Sequence, residues 1–176
     1  MNILILTGKF GMGHNSAALA IKEQLLLENP NYNIEIIDFI EYMFPRYSKF
    51  IYNTFNFLTN KCHSIYNTLN NISSKSSTIP LKKFIIKKID DLLNNYNTTT
   101  IISVFPLCSQ YISAYKKMSS KQIALNTFIT DVVAHKEWIS NETNYYFVAS
   151  LETKNYLLAN NIPSNKIIIS GIPVKQ

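Results

Sequence analysis

His14 ends the run Thr7-Gly8-Lys9-Phe10-Gly11-Met12-Gly13-His14 and begins Asn15-Ser16-Ala17-Ala18-Leu19-Ala20-Ile21. The apolar stretch Ile3-Leu4-Ile5-Leu6 before this run predicts a buried strand, and the stretch after it predicts a helix. A strand, a glycine-rich turn and a helix N-terminus form an anion site. Gly8, Gly11 and Gly13 let the backbone come close to a ligand, and the unpaired N–H groups of the first turn, at and around Asn15, favour negative charge. An imidazole at that entrance also carries out proton chemistry near neutral pH. Three readings of the loop stay open. It is a dinucleotide fingerprint with Asp38 as the ribose-binding acid, a tight turn without a ligand, or the floor of a two-domain cleft. Against the first, Ser16 occupies the third glycine slot and the interval to Asp38 is long.

The second constellation is Thr130-Asp131, His135 and Trp138. An aspartate at a strand end and a histidine four positions on put two ionisable groups on one loop. Asp131 can orient a histidine or tune its proton affinity. Alternatively, Asp131 caps the following turn and His135 is solvated. The third constellation covers residues 45–72, where Tyr47, Phe50, Ile51, Phe55 and Leu58 recur at helical spacing among Arg46, Lys49 and Lys61. Aromatic and basic residues mixed in this way suit a helix lying in a lipid headgroup region, with Arg46, Lys49, Phe50 and Phe55 as the contacts. The other reading is ordinary core packing.

These residues need a frame. Strands are expected over residues 2–7, 33–39, 100–105, 124–129, 145–149 and 167–169, and helices over 15–29, 80–96, 107–118 and 151–160. In the last helix but one, Leu107, Tyr111 and Ala114 are expected to face inward. Residues 45–72 are too long for an ordinary crossover and predict an inserted pair of helices. With the flexible serine-rich loop at 73–78, the insert runs over about 45–78. Alternating strands and helices predict an α/β fold: a Rossmann-like, mostly parallel sheet with helices on both faces. Ligands of such sheets sit beyond the carboxyl ends of the strands, where residues 8–14, Asp38, Pro106, residues 130–135 and Gly171 all fall.

The 176 residues amount to about one domain, and 47% hydrophobic content provides a core. A net charge of +6 suggests an acidic partner such as anionic lipid, nucleotide phosphate or nucleic acid. Cys62 and Cys108 have neither a zinc spacing nor a disulfide framework. No apolar run approaches the ~18 residues of a membrane span, and a first strand starting at residue 2 leaves no signal peptide. The expectation is a cytoplasmic protein, peripheral on a membrane surface. The frequent Asn reads as compositional bias.

The glycine loop, Ile37-Asp38-Phe39, the stretch from Thr130-Asp131 through His135 to Trp138-Ile139, Phe147-Val148-Ala149-Ser150 and Ser170-Gly171-Ile172-Pro173-Val174 occur in order along the chain. Together they resemble the amino-terminal domain of the monogalactosyldiacylglycerol synthases and processive diacylglycerol glucosyltransferases. Met12 departs from the Gly-Gly-Gly-His run of many relatives. The resemblance implies one half of a GT-B glycosyltransferase, residues 1–176 being the acceptor domain without the carboxyl-terminal nucleotide-sugar domain. It implies transfer of a hexose from a UDP-sugar to diacylglycerol or a related glycolipid at the inner face of the cell membrane, with inversion. No metal, no other cofactor and no nucleic acid is involved. His14 would be the base, with Asp131 as its partner or as a second base. Gly8, Gly11, Gly13, Asn15, His135 and Trp138 would bind substrate or phosphate. The isolated chain would be inactive. A stand-alone lipid- or partner-binding module and a dinucleotide-dependent oxidoreductase are the alternatives.

Overall fold

The computed structural model describes residues 1–10, 13–61, 82–119, 121–131 and 134–174, and of residues 55–61 and 82–83 the backbone alone. In chain order the elements are β1 (Asn2–Thr7), α1 (Gly13–Glu28), β2 (Asn33–Asp38), α2 (Phe39–Met43), α3 (Ser48–Lys61), α4 (Lys82–Asn95), β3 (Thr100–Ser103), α5 (Pro106–Met118), β4 (Ala124–Phe128), β5 (Tyr145–Val148), α6 (Leu151–Ala159) and β6 (Ile167–Ile169). Short 3-10 turns lie at Lys136–Trp138 and Ser164–Lys166.

The strands form one sheet in the order β2-β1-β3-β4-β5-β6, and every neighbouring pair is parallel. The chain leaves β1 in one direction for β2 and in the other for β3. The topological switch point therefore lies between the carboxyl ends of β1 and β3, where a crevice opens in sheets of this kind. The strict alternation of β1 serves both faces. Leu4 and Leu6 pack with Ile89, Leu92, Ile112 and Tyr115 from α4 and α5, while Ile3 and Ile5 pack with Ala18 and Ile21 of α1. A third cluster joins Ile129, Trp138, Tyr146, Val148, Leu157 and Ile167 under β5 and β6.

Local chemistry fixes the element ends. Asp38 caps α2 by accepting from the Glu41 N–H, Pro106 opens α5, and Ser150 caps α6 through the Thr153 N–H. Asn97 and Asn161 hold left-handed φ of 46° and 64° just beyond α4 and α6. At each, paired bonds close the helix: Thr98 N–H to Leu93 O and Asn97 N–H to Asn94 O after α4, and Ile162 N–H to Leu157 O and Asn161 N–H to Leu158 O after α6. These are Schellman closures, and asparagine accepts the left-handed position better than other side-chain-bearing residues. Two asparagines of an apparent compositional bias thus end helices.

The structure moves some expectations. The inward face of α5 is Cys108, Ile112 and Tyr115, with Leu107, Tyr111 and Ala114 only half-buried. Cys108, Ile112 and Tyr115 are the residues of that helix that pack against Leu4, Leu6 and Ile101 of the sheet. The strand expected over 100–105 stops at Ser103, because α5 begins immediately after Phe105. The insert starts with α2, which the sequence reading did not contain, and α3 supplies its first long helix. The second inserted helix and the loop at 73–78 lie outside the described residues.

Candidate functional site

His14 is the second residue of α1 and stands beside the ends of β3 and β4. Its Nδ1 lies 2.8 Å from Thr130 Oγ1. Its ring meets Phe105 edge-on at 5.3 Å and Trp138 at 6.2 Å between centroids. Burial dominates and pushes its pKa below the ordinary histidine value, while the charge of Asp131 and the Val104 backbone pull the other way. The imidazole is accordingly neutral at physiological pH.

Asp131 accepts a hydrogen bond from the Trp138 indole N–H at 2.7 Å. Trp138 is fully buried, so what it presents to the crevice is the carboxylate it orients. The expected partnership of Asp131 with His14 takes a different form. Thr130 makes the direct bond to the ring, and Asp131 acts on it through its charge. His135 is exposed, and its side chain makes no hydrogen bond or ion pair with the described residues. Its carbonyl closes the 3-10 turn that places Trp138.

Of the loop itself, Gly11 and Met12 lie outside the described residues. Gly8 is buried, and a Cβ there would come within 3.1 Å of Phe10 and 3.2 Å of Phe105. Its lack of a side chain is what lets those rings stack at 4.8 Å. Gly13 is exposed with nothing within 4 Å of a Cβ position, and Asn15 is exposed beside it. The first turn of α1 therefore opens to solvent.

Asp38 does not present itself to a ribose. Its Oδ1 accepts from the Glu41 N–H at 2.9 Å and from the Tyr52 hydroxyl at 2.5 Å, and its Oδ2 is buried without a hydrogen bond. This removes the acid that the dinucleotide reading requires. Arg46, Tyr47, Lys49 and Phe50 are all exposed at the start of α3, with Phe50 at 71%. The Phe55 side chain lies outside the described residues. Among the described residues, no three His, Cys, Asp or Glu gather to hold a metal ion, and no helix is long and apolar enough to cross a membrane.

The sequence reading named Thr130 without giving it a role, and it missed Phe105 and Tyr52. Thr130 had a signal, because it sits next to Asp131 at the same strand end. Phe105 and Tyr52 had none locally, since only the fold brings them to the loop.

The profile of the monogalactosyldiacylglycerol (MGDG) synthase family matches residues 14–174. Two similar proteins are both processive diacylglycerol beta-glucosyltransferases. The one from Staphylococcus epidermidis is 29% identical over 98% of this chain and 44% of its own length. The one from Bacillus cereus is 26% identical over 99% of this chain and 45% of its own length. The chain thus spans slightly under half of these relatives. Among solved structures, the apo form of the lipopolysaccharide outer core galactosyltransferase WaaB superposes with a TM-score of 0.57 at 14% identity, over 96% of this chain and 45% of that one. At that identity the likeness shows the fold alone, the Rossmann-like half of a GT-B architecture.

Proposed function

The chain belongs to the monogalactosyldiacylglycerol synthase family, and from that premise we propose that it is the acceptor-binding half of a hexosyltransferase. The whole enzyme moves a hexose from a UDP-sugar to diacylglycerol or a related glycolipid on the inner face of the cell membrane. A second domain holds most of the nucleotide-sugar, and the 176 residues alone do not catalyse transfer.

The observation that carries this reading is a neutral, half-buried His14 at the open first turn of α1. In the proposed reaction the acceptor hydroxyl approaches His14. Its oxygen attacks the anomeric carbon as the bond from that carbon to the nucleotide diphosphate breaks, inverting the centre. The hydroxyl proton passes to the imidazole. The proton is taken up at Nε2, so the neutral ring carries its own proton on Nδ1 and donates it to Thr130 Oγ1, a bond that persists in the imidazolium. The ring gains a proton without losing its partner. Asp131 stabilises the imidazolium by its charge and stays oriented by Trp138. The N–H groups around Gly13 and Asn15 face the departing diphosphate, where helix N-termini offset negative charge. His135 belongs to the same substrate-facing rim, and Gly11, outside the described residues, is assigned to substrate binding from the sequence.

Arg46, Lys49 and Phe50 form the membrane-facing edge, with Phe55 assigned to it from the sequence alone. Exposed aromatics beside two cations match an interfacial helix, and the net charge of +6 favours an anionic surface. A module that binds lipid without transferring sugar is the second reading, supported by this same patch. His14→Ala in the complete enzyme tests the first. Turnover should fall by about 100-fold or more, the usual worth of a positioned base, with the melting temperature unchanged. Near-normal turnover removes His14 from the role, and vesicle binding without any transferase activity in the complete protein selects the module.

A further inference from the structure

Tyr52 lies on α3, and its hydroxyl is engaged twice. It donates to Asp38 Oδ1 at 2.5 Å and accepts from the Lys9 backbone N–H at 3.2 Å. Its ring meets Phe10 edge-on at 4.8 Å. Phe10 stacks on Phe105 at 4.8 Å, and Phe105 abuts His14 at 5.3 Å. A continuous row of rings therefore runs from α3 across the β1 and β3 ends to the imidazole. Lys9 and Phe10 are the residues on which the loop leaves β1, so the Tyr52 hydroxyl holds the near end of the segment whose far end is His14. Asp38 cannot turn away from this task, because the same oxygen caps α2.

We propose that Tyr52 is a positioning residue for the His14 loop. It fixes Lys9 and Phe10 against the sheet, so that Phe105 keeps water from one side of the imidazole. The helix that supplies this grip carries the exposed aromatic and basic edge one turn earlier, at Lys49 and Phe50. Contact of that edge with a lipid surface is thereby linked mechanically to the loop. The assignment rests on the reading of His14 as the base.

The test reads His14 without using catalysis. Carbethoxylation by diethylpyrocarbonate reacts with neutral imidazole, and peptide mass spectrometry separates His14 from the exposed reference His135. Its rate is followed from pH 5 to pH 8 in the chain, in Tyr52→Phe and in Phe10→Leu. Tyr52→Phe keeps the ring and loses both hydrogen bonds, while Phe10→Leu keeps the bonds and interrupts the row of rings. Tyr52→Phe should raise the His14 rate about threefold to tenfold, the net scale of a lost hydrogen bond, and Phe10→Leu should raise it in the same direction. Each should also move the His14 midpoint up towards the ordinary histidine value, while the rate at His135 stays fixed. The double variant should add little beyond the larger single effect, since both act on one row. In the complete enzyme, Tyr52→Phe should lower kcat and leave KM for the nucleotide sugar unchanged. An unaltered His14 profile in both single variants overturns the proposal. An altered profile combined with near-normal turnover of His14→Ala leaves the positioning intact and overturns the base.

Discussion

Trp138 and Tyr52 stand at the two ends of the row of rings that contains His14, and they are held by different means. Trp138 is sealed in the core, and beneath it runs a lattice of buried hydroxyls. Ser109 bonds Thr127 at 2.9 Å, Thr127 bonds Thr143 at 3.3 Å, and Thr143 bonds Ser140 at 2.6 Å. Tyr146 closes the lattice by donating to the Ser140 carbonyl and accepting from its N–H. Tyr52 rests instead on one carboxylate, one N–H and one neighbouring ring, on a helix that exposes Tyr47 just before its start and Phe50 in its first turn. One wall thus has its charge, Asp131, aimed from beneath by buried groups. The other meets the loop with a half-buried ring and faces outward with cations and aromatics. Chemistry needs a fixed carboxylate, because a small displacement changes its effect on the imidazole. Contact with a bilayer needs exposure, which a core cannot supply.

The largest expected effect breaks the fixed wall. Trp138→Phe leaves a void in the third cluster and takes away the N–H that Asp131 uses. A buried large-to-small change combined with a half-buried carboxylate left without its donor should cost about 2–4 kcal/mol. Urea unfolding of the chain measures it. A loss under about 1 kcal/mol means that the tryptophan is held less tightly than its burial implies.

Asp131→Asn sharpens the same wall with a smaller effect. The amide oxygen still accepts from Trp138, so the fold stands, and only the charge goes. Asp131 raises the His14 pKa against the dominant effect of burial. Its removal should carry that pKa further below 6.5, the ordinary histidine value. The acid limb of the pH–rate profile of the complete enzyme then moves to lower pH, and turnover above it falls because the base is weaker. Loss of all activity at every pH would instead make Asp131 the base. Stability carries the same sign. The folded His14 binds its proton at lower pH than the unfolded one. Its contribution is therefore lost as pH falls from the ordinary value towards the lowered one, and His14→Gln should flatten that slope.

How much of this was legible in the chain depended on distance along it. β1, the glycine turn and α1 are one local pattern, and the alternation of Ile and Leu in β1 set both faces of the sheet before any coordinate. Asp131 and Trp138 lie within one short loop, so their belonging together was visible. Which atom meets which was not. An aspartate with His14 and His135 in prospect gave no hint that the indole would take it, since that choice follows from the burial of Trp138 under β5. The helical face of α5 was misplaced by one residue, because Leu107, Tyr111, Ala114 and Cys108, Ile112, Tyr115 are adjacent stripes of similar spacing and only the packing on the sheet chooses between them. Tyr52 and Phe105 were illegible, because their separate contacts with Phe10 require α3 and the β3 end to come together at the β1 end. The two left-handed asparagines were hidden by the abundance of that residue.

The smallest expected effect on stability tests the other wall. Phe50 is 71% exposed in the first turn of α3, a turn without an acidic residue. Phe50→Glu there removes little buried surface and puts a negative charge at a helix N-terminus, where it is favourable by about 0.3–1 kcal/mol. Unfolding free energy should therefore hold or rise slightly, in contrast to Trp138→Phe. Binding to anionic vesicles should fall, because the substitution takes away an aromatic contact and adds repulsion from lipid headgroups. Flotation of the two proteins, repeated at rising salt, measures this, and the wild-type interaction should itself weaken as salt screens Arg46 and Lys49. A loss of stability above 1 kcal/mol would place Phe50 in packing, and unchanged flotation would move the bilayer contact to another part of the chain. Either result would erase the division of labour between the two walls. The expected pair, stable and unbound, would make the exposed start of α3 a surface kept open for lipid.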